Sequence, residues 1–76
     1  MVPTDEQMAR RQLLRLQNFI AACQLPVEAA WFRPGDWMMG FSLRHAVEGT
    51  EALVGTFDAC MGYLLCIIEL RRRLFR

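Results

Sequence analysis

Apolar residues in the first third of the chain recur with a helical period. Ala9, Leu13, Leu16, Ile20 and Cys23 follow a four-three-four-three spacing, Met8 and Phe19 widen the stripe, and Arg10, Arg11, Arg15 and Asn18 turn to the other side. Thr4-Asp5-Glu6-Gln7 stands before them as a capping box: the Thr4 hydroxyl accepts from a helical amide and Gln7 reaches back to the Thr4 amide. Asp5 and Glu6 suit the positive end of the helix dipole. A helix over about residues 5–24 is expected, closed by Leu25-Pro26.

The period then breaks. Trp31 to Phe41 holds both tryptophans, two of the five phenylalanines and two of the five methionines within eleven residues. Arg33-Pro34-Gly35-Asp36 reads as a turn, and Pro26 to Phe32 as one or two helical turns at most. Beyond it no proline interrupts the chain, which predicts a second helix over about 43–75, capped by Ser42 in preference to Asp36, with Gly49-Thr50 as a place to bend or restart. Such a helix has about thirty-three residues against about twenty in the first, a mismatch of roughly 20 Å.

The expected fold is therefore all-α: one domain over residues 1–76, a helical hairpin of unequal arms joined by an aromatic-rich connection at 25–41. On the second helix Leu53, Phe57, Cys60, Met61, Tyr63, Leu64, Ile67, Ile68, Leu70, Leu74 and Phe75 span about half the circumference, more than one short helix covers. Small residues Gly55, Ala59, Gly62 and Cys66 form a second stripe that lets another backbone approach. A homodimer or obligate complex is expected, with Gly55, Asp58, Ala59, Gly62, Leu64, Cys66 and Ile68 at the interface. Asp58 is the one charge between Glu51 and Glu69. It reads equally as an ion-pair partner that sets register or as a solvated charge on a polar strip.

A chain of 76 residues is near the size at which one core barely offsets conformational entropy. Its net charge is +1 and all nine basic residues are arginine. So small an excess argues against a dedicated nucleic-acid binder. Arg71, Arg72, Arg73 and Arg76 complement a negative helix end, and Glu69 pairs with Arg72 or Arg73. Arg71 lies toward the apolar side, which suits an interface. No apolar segment precedes the first arginines, so no signal peptide is expected.

Candidate chemistry is thin. Cys23, Cys60 and Cys66 show no metal-binding spacing and read as thiols in a reducing cytoplasm. His45, Glu48 and Glu51 are spaced to share a helix face, where a solvated face accounts for them. No cysteine or serine has a partner base, so neither an enzyme nor a cofactor is expected. Residues 52–70 followed by three arginines resemble a membrane span. Eight Leu, Ile, Val or Phe residues contribute roughly −2.5 to −5 kcal/mol to insertion, and Asp58 alone opposes with roughly +3. Insertion is marginal and a cytoplasmic chain is favoured.

What remains is binding. The segment from Trp31 to Phe41 either folds back as a plug over part of the second helix or presents a binding surface. Both hold together if Trp37, Met38, Met39, Phe41 and Arg33 form the expected partner surface, since tryptophan and arginine dominate hot spots and methionine adapts to irregular partners. Trp31 and Phe32 are expected in the core. In size, helicity and expected helical pairing the chain resembles the small helical bacterial antiactivators that bind quorum-sensing transcription factors. That resemblance implies a non-enzymatic regulator that sequesters or occludes a protein, such as a transcriptional activator. A small membrane-associated accessory protein anchored by residues 52–70, or a structural subunit of a larger assembly, is the alternative.

Overall fold

The computed structural model describes residues 4–74. Along it run α1 (Asp5–Cys23), β1 (Val27–Arg33), β2 (Asp36–His45), β3 (Glu51–Gly55) and α2 (Phe57–Leu74). The three strands form one antiparallel sheet in the order β1-β2-β3. The fold is thus α+β, and the all-α helical hairpin is overturned. Residues 27–55, read from sequence as a connection and half of a long helix, are sheet. The last residue of the expected helix, Phe75, lies outside the described residues.

α1 starts where the capping box places it. The Gln7 amide donates to Thr4 Oγ1 at 3.2 Å and the Thr4 amide donates to Gln7 Oε1 at 3.0 Å. It ends one residue before Gln24, which adopts the left-handed conformation at φ 51°. The Leu25 amide then donates back to the Ile20 carbonyl at 3.0 Å, a Schellman-type closure with Leu25 buried behind it. α1 has no basic residue in its own last turn. Arg71 of α2 supplies the missing cation: its Nη1 donates to the Cys23 carbonyl at 3.0 Å and its Nη2 to the Gln24 carbonyl at 3.2 Å. A guanidinium fork meets two terminal carbonyls and the negative dipole end together. Arg71, expected at an interface, is a clamp within the chain.

The strands show a period of two that the alanines and leucines obscure. Val27, Ala29 and Trp31 turn toward the helices while Glu28, Ala30 and Phe32 turn away. Across the ladder Ala29 faces Leu43 and Trp31 faces Phe41. Pro34-Gly35 is the hairpin apex, with Arg33 paired to Asp36 and Gly35 at φ +78°. Ser42 caps no helix. It sits in mid-strand on the sheet face away from the helices, buried, and its Oγ has no hydrogen-bond partner among the described residues. The Gly49-Thr50 break becomes the β2–β3 turn, where the His45 amide donates to the Thr50 carbonyl at 2.9 Å.

α2 begins instead at Thr56, whose Oγ1 accepts from the Ala59 amide at 3.2 Å. With residues 51–55 in β3, the segment 52–70 is not one helix. Among the described residues no helix is long and apolar enough to cross a membrane. Both helices pack on one face of the sheet, and the core lies between the layers. Leu16, Leu43, Cys60 and Leu64, from α1, β2 and α2, are fully buried. Burial pushes the Cys60 thiol up from its ordinary value, which keeps it protonated and inert.

Candidate functional site

The ladder between β1 and β2 is not even. Trp31 pairs with Phe41 and Arg33 with Asp36, so Phe32 alone stands opposite four residues of β2, Trp37 to Gly40. A bulge of that size re-aims side chains out of the sheet. Two devices hold it. Asp36 Oδ1 accepts from the Met38 amide at 3.1 Å. Gly40 takes φ +88°, and a Cβ there would meet the Gly55 carbonyl oxygen at 2.9 Å, so neither the conformation nor the close approach of β3 admits a side chain.

The bulge lies beside the N-terminal turns of both helices, and a groove of about 570 Å³ opens between them. Trp37, Met38 and Phe41 line it from the sheet, Met8 and Gln12 from α1, and Phe57 from α2. Its wall is stiff. Trp31 stacks on Phe41 with ring centroids 5.5 Å apart, Phe41 meets Phe57 edge-on at 6.5 Å, and the Arg15 guanidinium lies 5.2 Å over the Phe57 ring. Its lip is soft, because Met38 is 74% and Met8 47% exposed. Asp5 and Asp58 stand on the rim, and neither forms an ion pair among the described residues. A rigid aromatic floor with mobile thioethers above it accommodates an irregular apolar segment.

The expected partner residues are thus divided. Trp37, Met38 and Phe41 meet in the groove, but Phe41 is a buried wall at 5% exposure and not a presented side chain. Met39 is exposed beside it, and Arg33 is exposed at the hairpin tip. Phe32, expected in the core, points outward from the bulge and is 40% exposed, whereas Trp31 does pack on the core. Met8, Asp5 and Phe57 are groove residues that helical periodicity assigned elsewhere or overlooked. Only the packing of both helices on the sheet brings them to Trp37.

The expected oligomer set is divided as well. Leu64 is fully buried in the chain's own core, Ile68 packs against that core, and Gly55 belongs to β3. Asp58, Ala59, Gly62 and Cys66 are exposed on the outer side of α2. His45 ends β2, Glu48 lies in the following turn and Glu51 opens β3, so the three share no helix. No group of three or more potential metal ligands is gathered among the described residues. Arg73 pairs with Glu69 at 3.4 Å within α2, while Arg76 lies outside the described residues. Compared with family models, curated proteins and solved structures, the chain gives no match in any of the three.

Proposed function

We propose that this chain is a non-enzymatic, cytoplasmic protein-binding regulator that holds or occludes a partner protein through the groove at the β2 bulge. The observation that carries the reading is the coincidence of a costly backbone device with exposed apolar side chains. Gly40 and the Asp36 cap hold the bulge open, and its effect is to set Trp37 and Met38 at the mouth of a groove. Bulges that serve only to end a strand do not need to present a methionine at 74% exposure. An apolar segment of another protein fits the lining, with the thioethers adapting to its shape. Occlusion follows if that segment is one the partner uses elsewhere, as the activators held by antiactivators would be.

The test uses two substitutions on opposite walls. Met38→Glu and Met8→Glu each place a carboxylate where an apolar group must enter, and both positions are exposed, so folding should be unchanged. With the purified chain as bait, both variants should lose the same captured protein at least about tenfold relative to wild type, the loss expected when a charge is left unpaired in a desolvated contact. Capture of one specific protein that neither variant weakens would rule out the groove.

A further inference from the structure

The outer side of α2 carries exposed leucine beside exposed charge: Asp58, Arg72 and the Glu69–Arg73 pair at 3.4 Å all stand on it. On α1 the solvent side carries Glu6, Arg10, Arg11 and Asn18, with Arg10 and Glu6 paired at 3.0 Å. On α2 it carries Leu65 at 53% and Leu70 at 58% exposure, with Gly62 between them and nothing within 4 Å of where its Cβ would stand. The sheet and α1 have taken the other half of α2, so this half packs on nothing within the chain, and Leu65 and Leu70 lie on its two edges.

Its charges are arranged with a symmetry. Asp58, Leu65 and Arg72 are spaced seven and seven apart, which puts them in one line along the helix. The acid stands at the start, the base at the end, and an exposed leucine midway. Asp58 and Arg72 form no ion pair among the described residues. An antiparallel copy of the same helix, related by a two-fold axis through Leu65, sets each Asp58 against an Arg72 and Leu65 against its mate. A parallel copy would instead set Asp58 against Asp58 and Arg72 against Arg72. Self-complementarity of this kind is what a closed two-fold interface requires.

We infer that the occupant of this face is a second copy of the chain, docked antiparallel along α2 about Leu65. Gly62 and Cys66 flank the axis and let the two backbones close up. Because Asp58 also stands on the groove rim, each copy delivers an arginine to the edge of the other's groove. The dimer does not depend on what the groove binds.

Sedimentation equilibrium on the purified chain at about 1–100 μM, a range that brackets ordinary homodimer affinities, tests the inference directly. Wild type should sediment at twice the chain mass at the upper end. Asp58→Arg and Arg72→Asp should each weaken the dimer about tenfold, since two exposed pairs turn repulsive in each case. The double reversal should restore it, with helical circular dichroism unchanged in all variants as the check on folding. A wild type that stays monomeric throughout, single reversals that leave the dimer intact, or a folded double variant that does not recover would each overturn the inference.

Discussion

Arg71 shows most clearly how a side chain's role depends on what the fold sets beside it. In the sequence it is one of three adjacent arginines and is indistinguishable in type from Arg72 and Arg73. In the structure it alone is half-buried and donates to two carbonyls at the end of α1, 47 and 48 residues away. Arg71→Ala should lower stability by about 1–2 kcal/mol, the range for charged hydrogen bonds discounted for partial exposure, and Arg71→Lys should recover less than half of it. Arg72→Ala should change little at a chain concentration where the protein is monomeric. Urea unfolding of the three variants side by side measures the difference. An Arg71→Ala midpoint equal to that of Arg72→Ala would show that the clamp contributes nothing.

At the scale of elements, α1 is legible in the sequence because everything that makes it is local: a capping box, a stripe of apolar residues and a stop before Pro26. The Pro34-Gly35 turn is legible for the same reason. The strands are not, since their period of two is short and is carried by residues that also favour helices. Ala29, Ala30, Leu43 and Leu53 fit a helical wheel as readily as a ladder, and the register is decided by Trp31 meeting Phe41 and Ala29 meeting Leu43 across the turn. The alternation Phe41-Ser42-Leu43-Arg44 is the strand signal, and it competes with Ser42 as a helix cap. Gly40 belongs to this scale too, because its conformation is set by the pairing of two strands with a third. Gly40→Ala combines strain at φ +88° with a Cβ 2.9 Å from the Gly55 oxygen and should cost about 2–3 kcal/mol. Gly35→Ala has the same sign of φ but open space around it, so it should cost about 1 kcal/mol. Thermal unfolding ranks the two, and equal losses would mean that the contact with β3 contributes nothing.

For the molecule as a whole, the sequence leads one to expect more apolar surface than one short helix covers, on a helical wheel that wrongly includes Leu53 of β3. It does not show what covers it. The sheet does most of that work, burying Leu64 and Cys60 against Leu43, and what remains is divided between the outer side of α2 and the groove at the bulge. Candidate partner residues are legible by composition, since tryptophan and methionine clustered round a turn stand out in any chain. Their neighbours Met8 and Phe57 are not legible, because a groove made from three elements exists only once those elements are packed.

The groove, rather than the aromatic cluster in general, is the proposed partner surface. Its most direct test is a photo-reactive benzophenone side chain placed at Met38, at the groove lip, and in a second variant at Leu14, which is 56% exposed on α1 but outside the groove. Irradiation in the cells that make the protein should attach one discrete partner through position 38 and not through position 14, and Met8→Glu should abolish the adduct. Adducts of equal yield from both positions, or a position-38 adduct indifferent to Met8→Glu, would show that the partner does not bind in the groove.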